Sequence, residues 1–100
     1  MSILHLAVAA DWAAAQPTGE YRVSTLGHTV DQVGFIHCSR DADQLHTVHA
    51  DFYCHVTEPL VVLRIDPAGL DVRVEGGFPH LYGPLPLTSV IAVTPYGEFR

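Results

Sequence analysis

Three histidines lie in apolar surroundings: His5 in "ILHLAV" (3–8), His37 in "GFIHCS" (34–39) and His80 in "GGFPHLYGPLPL" (76–87). A neutral imidazole can accept a proton, deliver one or hold a hydroxyl, and its charge changes between pH 5 and 8. Two readings of the trio stay open at this point. Each ring can simply bond a backbone carbonyl inside the core, or the three can converge on one site. Strand alternation places Phe35, His37 and Ser39 on one face, with Ile36 and Cys38 on the other. If "ILHLAV" runs beside that strand, His5 joins His37 and Ser39, while Leu4, Leu6, Ile36 and Cys38 make core. Polar groups gathered on one sheet face are costly to bury unpaired, so such clusters mark pockets.

The segment "EGGFPHLYGPLPL" adds the second half of the chemistry. Its three prolines and three glycines read as an ordered loop with at most a two-residue bridge, stiffened by Pro79 and Pro84. Phe78, His80 and Tyr82 recur every second residue, so an extended chain shows all three to one side as a platform for a flat ring. The plainer alternative is a surface loop pinned to the core by Phe78 and Tyr82. Glu75, just before it, is a general base, an acceptor for a ribose hydroxyl, or an edge-strand acid.

Other constellations are weaker. Cys38 follows His37, but adjacent strand residues face opposite ways, so an inert buried thiol is expected. Ser39 has the parity to meet His37, without an evident third group or oxyanion loop. His46 and His49 have a spacing that two helical metal ligands can use. No HExxH, CxxC or acidic triad accompanies them, and no metal is expected. Phosphate loops of the GxGxxG or GxxxxGK[ST] kind are missing from the sequence.

The elements that must position these residues follow from periodicity and punctuation. "ILHLAV" suits a first strand. Asp11 is a candidate cap for a short helix through Trp12–Ala15, stopped by "QPTGE", and "TVDQV" is one helical turn after Gly27. "VGFIHCS" is a second strand. The run "SRDADQLHTVHADFY" is the main helix, capped by Ser39 or Asp41, with Leu45, Val48 and Phe52 on its inner stripe. "PLVVLRID" is a central strand, and "PAGLD" turns it into "VRVE" as a hairpin-like pair; "TSVIAVTPY" closes the chain. The sum is an α+β single domain over residues 1–100, a mixed or mainly antiparallel layer of about five strands with one main and one short helix.

Composition narrows the partners. The chain has 100 residues, 48% hydrophobic and 16% charged, which supports one small core. Net charge is −6, with five arginines and no lysine, so a DNA-binding surface is not expected. A pocket for one small or nucleotide ligand needs only one or two arginines, and Arg73 is a candidate. No apolar run approaches the roughly 20 residues of a membrane span. With no basic n-region in "MSILHLAVAADW" and no CxxC pair between Cys38 and Cys54, the expectation is a cytoplasmic protein with reduced thiols.

"ILHLA", "GFIHCS" followed by Gln44, "PLVVLRID", "VRVE" and "FPHLYGPLPL" together resemble domain-of-unknown-function family 952, small bacterial proteins, over nearly the whole chain. That resemblance implies His5, His37, Ser39, Gln44, Glu75, His80 and Tyr82 as the functional set. More distantly, the order of histidine strand, "GFIHCS" strand, helix, apolar strand and closing segment is similar to the ADP-ribosyltransferase and RNA 2′-phosphotransferase superfamily. This implies a cleft between two small sheets with NAD as the candidate substrate and no other cofactor. There His5 would hold a ribose, His37 and Ser39 would line the cleft, Tyr82 would stack on nicotinamide, and Glu75 or His80 would stabilise a ribosyl cation. The short chain and the sparse basic residues depart from that pattern and argue against an RNA substrate. Three functions remain open: an ADP-ribosyltransferase-like nucleotide binder or enzyme; an enzyme or binder of another small metabolite, using histidine as general acid and base; or a non-catalytic domain with structural or metal-binding histidines. His5, His37, Glu75 and His80 are the catalytic candidates, with Ser39, Gln44, Arg73, Phe78 and Tyr82 as ligand contacts. Oligomeric state is not legible.

Overall fold

Strand β1 (Ile3–Val8) carries no charged side chain and is buried at all six positions, so it must be covered on both faces. It pairs antiparallel with β6 (Leu60–Ile65), which pairs on its other edge with β10 (Val90–Pro95). The β-branched run in "LVVLRI" thus becomes the centre of a three-stranded sheet, as its composition leads one to expect. The computed structural model describes residues 1–99.

The strands are not in one layer. A second three-stranded antiparallel sheet has the order β5-β8-β7, from β5 (Phe35–His37), β8 (Phe78–Tyr82) and β7 (Val72–Glu75). Two ribbons complete the architecture: β2 (Glu20–Tyr21) with β9 (Leu85–Pro86), and β3 (Val23–Thr25) with β4 (His28–Thr29). The result is α+β with antiparallel pairing throughout the described residues.

Two expectations are overturned here. "VRVE" does not return along the "PLVVLRID" strand; it turns back at Gly76–Gly77 and pairs with β8. The segment read as a loop is therefore itself a strand, at the centre of the second sheet. Gly76 and Gly77 have φ of 61° and 84°, and Glu75 pairs directly with Phe78, the signature of a two-residue primed hairpin turn. Pro79 survives in a central strand because β5 ends at His37, opposite His80, just short of the N–H that proline lacks. Its carbonyl still accepts from the Cys38 N–H at 2.9 Å.

Helix α1 (Ala9–Ala15) begins directly after β1 with Val8 at its N-cap; Asp11 lies in its first turn rather than capping it. The one-turn α2 (Val30–Val33) has a capping box of Thr29 and Gln32, and ends at Gly34 with φ of 90°. Asp41 caps α3 (Ala42–Val48), accepting from the Gln44 backbone N–H at 2.8 Å. The helix then continues as a π-helical turn, His49–Tyr53. That turn inserts one residue into the helical phase, so Tyr53 becomes the buried residue and Phe52, expected inside, is 58% exposed.

One core joins the two sheets: Ile3, Ala7, Leu63 and Ile65 from the first meet Ile36, Cys38 and Leu81 from the second, with Tyr21 and Leu85 from a ribbon. A second core, Leu4, Leu6 and Val62 against Leu45, Val48 and Tyr53, seats α3 on the opposite face of β1 and β6. Each such fully buried side chain is worth about 1.5–3 kcal/mol relative to exposure. Ile36 and Cys38 therefore share their core with the His5 side of β1, and not with Leu4 and Leu6 as the parity argument proposed. No helix among the described residues is long and apolar enough to cross a membrane.

Candidate functional site

The second sheet buries Ile36, Pro79 and Leu81 on one face and turns the alternate residues outward. The register sets those residues in rows: Phe35 opposite Tyr82, His37 opposite His80 opposite Arg73, and Phe78 opposite Glu75. Six of the nine residues expected to form a site therefore lie on a single face. Phe35, which shares the strand parity of His37, completes it.

Glu75 organises the open end of this face. Its Oε1 accepts the Tyr82 hydroxyl and lies 2.8 Å from His80 Nδ1. Those two bonds, Tyr82 first, hold the Glu75 carboxyl below the usual carboxylate range, while the same carboxylate pushes the Tyr82 phenol up. Glu75 is thus an anion and Tyr82 a protonated donor at neutral pH. Phe35 stacks on His80 with centroids 4.1 Å apart and planes 11° from parallel, so the imidazole is fixed by both stacking and a carboxylate. The His80 side chain retains 14% exposure, at the floor of the face rather than in the core.

His37 stands beside His80, with ring centroids 5.5 Å apart, and packs against Phe78 at 4.7 Å. Burial, with a smaller contribution from the nearby His80, lowers its pKa and keeps it neutral. Its backbone N–H donates to Ser24 Oγ at 3.2 Å, tying β5 to β3. A cavity of about 360 Å³ opens next to it, lined by Thr25, Leu26, His28, His37 and Phe52.

Arg73 lies over the Tyr82 ring at 4.2 Å and is paired with Asp71 through two hydrogen bonds of 3.1 and 2.9 Å. Its charge is already matched, so it steadies Tyr82 as much as it offers an anion site. Gln44 is occupied elsewhere. Its side-chain amide donates to the Gly77 carbonyl at 2.9 Å and accepts the Arg40 N–H at 2.8 Å; Arg40 also reaches Gly77 at 3.1 Å. Together they fasten the β7–β8 turn to the start of α3.

His5 and Ser39 lie beneath the face. Strands β1 and β5 do not run side by side; they meet at one bridge, where Leu4 and Ser39 exchange backbone hydrogen bonds of 2.8 and 2.7 Å. Ser39 is buried there. His5 is 2% exposed, with Nδ1 2.7 Å from the His37 carbonyl, so it fulfils the structural alternative of an imidazole bonded to backbone. Desolvation lowers its pKa to about 4, which makes it neutral with Nδ1 as donor. Its Nε2 and the Tyr21 hydroxyl are buried polar atoms without a hydrogen-bond partner among the described residues, their rings 5.5 Å apart. Cys38 is buried and its thiol is pushed up to about 12, as an inert core thiol requires.

His46 and His49 contact Tyr96 instead of sharing a ligand geometry: His46 Nδ1 lies 2.8 Å from its hydroxyl and His49 stacks on its ring at 4.3 Å. No group of three potential metal-binding side chains occurs among the described residues. The arrangement on the sheet face suits proton transfer and hydrogen bonding to a small ligand. Sequence reasoning missed the cavity residues Thr25, Leu26, His28 and Phe52. Only the π turn, which periodicity does not reveal, brings Phe52 there.

No curated protein matches the chain. The chain is similar to the crystal structure of protein CC0527 from Caulobacter crescentus, with 30% identity and a TM-score of 0.79, over 95% of this chain and 85% of that one. The solution NMR structure of CC0527 is 31% identical with a TM-score of 0.68, over 93% and 82% of the two chains. The model for proteins of unknown function DUF952 matches residues 6–93, and the chain belongs to that family.

Proposed function

We propose that the outward face of the β5-β8-β7 sheet is the active surface of a small-molecule enzyme, with His80, oriented by Glu75, as general acid and base. The observation that carries this reading is the Glu75 Oε1 atom, which receives both the Tyr82 hydroxyl and His80 Nδ1. A carboxylate on Nδ1 selects the tautomer with its proton there and leaves the Nε2 lone pair for a substrate proton. When Nε2 takes that proton, the imidazolium formed is stabilised by the same carboxylate. His80 then returns that proton as the acid, and neutral His37, one ring away, can hold a substrate oxygen with its ring N–H. Tyr82 keeps its proton, donated to Glu75, and offers its phenol oxygen as a hydrogen-bond acceptor.

The test is turnover. Purified protein incubated with a bacterial metabolite extract, followed by untargeted mass spectrometry, should deplete at least one small molecule. His80→Gln and Glu75→Gln should not deplete it. Identical profiles for wild type and both variants would refute the reading.

ADP-ribosyl transfer from NAD is a second reading, supported by one feature: an anionic carboxylate beside three aromatic rings can stabilise a ribosyl cation over a stacked leaving group. In that reading His5 is a positioning residue under His37, since its ring is buried and bonded to backbone. Titration of backbone amides with NAD, nicotinamide and ADP-ribose should then move residues 35–37 and 75–82 saturably. Silence at millimolar nucleotide would remove NAD as substrate.

A further inference from the structure

We infer that the cavity beside His37 binds a neutral, flat aromatic ring, and that Phe52 is the side chain that selects it. Three elements enclose the space: the tip of the β3–β4 hairpin with Thr25, Leu26 and His28, the end of β5 with His37, and the π turn with Phe52. At about 360 Å³ it falls within the range of small-molecule pockets, roughly 300–1,000 Å³. No Asp, Glu, Lys or Arg lines it, so a charged ligand would lose water without gaining a counter-charge. Leu26 and Phe52 supply apolar walls. The Thr25 hydroxyl and the two imidazoles supply hydrogen bonds for a ring with a polar edge.

The π turn is an independent observation that points to the same place. Leu45 and Val48 are buried, and an uninterrupted α-helix would carry residue 52 inward after them. The π turn buries Tyr53 in its stead and leaves Phe52 at the cavity. Such turns are rare and are frequently found at functional sites. A large aromatic side chain at 58% exposure, in a chain this small, is also surface that a ligand ring can cover.

His37 lines the cavity and its ring lies 5.5 Å from that of His80, so the cavity adjoins the proposed active face. The use made of the bound ring rests on the proton-transfer reading above, whereas the binding does not.

Backbone amide NMR at pH 7.5 separates the two. The probes are indole, indole-3-carboxylate and cyclohexanol, which compare a neutral flat ring with a charged one and a non-planar one. Indole alone should give saturable shifts at residues 25, 26, 28, 37 and 52. Phe52→Ala should weaken indole binding about tenfold, as expected for losing an aromatic wall, with Phe52→Leu intermediate. His80→Gln should bind indole like wild type, so a failed catalytic reading leaves this one standing. Phe52 is exposed, so both variants should melt with wild type; if Phe52→Ala does not, Phe52→Leu carries the comparison. The inference is overturned if indole shifts fall on residues 35, 80 and 82 instead, if the other probes bind equally, or if millimolar indole gives no saturable shift.

Discussion

Acid should destabilise this protein through His5 before it protonates most carboxylates. The His5 ring is 2% exposed, bonded through Nδ1 to the His37 carbonyl, and lowered by desolvation to about 4. An unfolded histidine titrates near 6.5, so between about pH 6.5 and 4 the unfolded chain binds a proton that the folded chain refuses. The folded pKa is the depressed one. Stability from this group is therefore fully present above pH 6.5, falls as pH drops, and levels off below about 4. The whole difference is worth about 3 kcal/mol, of which about 2 kcal/mol is already lost at pH 5. Urea unfolding of wild type and His5→Phe at pH 7.5 and pH 5 isolates the effect, because His37, whose pKa is also lowered, is common to both proteins. The variant should be less stable at pH 7.5 by about 1 kcal/mol for the lost hydrogen bond. Between the two pH values wild type should lose about 2 kcal/mol more than the variant. Equal losses would show that His5 is not a buried neutral base and would refute the assignment.

Further outcomes follow from other parts of the fold. Leu81→Ala, beneath the site in the central strand β8, should cost about 2–5 kcal/mol in urea unfolding and broaden the amide signals of Phe78, His80 and Tyr82. Gly76→Ala, which asks an L-residue to adopt φ of 61° in the β7–β8 turn, should cost about 1–2 kcal/mol by thermal unfolding. Gln44→Ala removes bonds to both Gly77 and Arg40, and should lower stability by about 1 kcal/mol while raising amide exchange at Gly77 and Phe78. With a thiol reagent at neutral pH, exposed Cys54 should react at once and Cys38 only after unfolding, since burial pushes its thiol up to about 12.

The central strand β6, the main helix, the turn at Gly27 and the one-turn helix after it were legible because each is signalled by local pattern: a β-rich run, helical spacing, and a glycine followed by "TVDQV". Strand pairing was not. "VRVE" could have turned back along either neighbour, and the choice lies in Gly76–Gly77, which a reading of three prolines and three glycines took for loop signals. Pro79 misleads for the same reason: its missing N–H matters only if a partner is present at that position. The alternation of Phe78, His80 and Tyr82 did foretell their common face, because period two holds for an extended loop and for a strand alike. The condition for His5 to share a face with His37 and Ser39, that their strands be sheet neighbours, is not met, for a topological reason. Parity says which residues share a face of one strand, and β1 and β5 belong to different sheets that touch at Leu4 and Ser39. Phe52 was hidden by the π turn, which breaks the spacing used to place it.

The measurement that tests the account most directly is the tautomer of His80, read from long-range proton–nitrogen NMR correlations of its ring at pH 7.5, in wild type and Glu75→Gln. The account predicts one dominant neutral tautomer in wild type, protonated on Nδ1 with a free Nε2, and a mixture once the Glu75 carboxylate is replaced. An Nε2-protonated ring, or a tautomer indifferent to Glu75, would contradict the claim that this carboxylate sets His80 up for proton transfer.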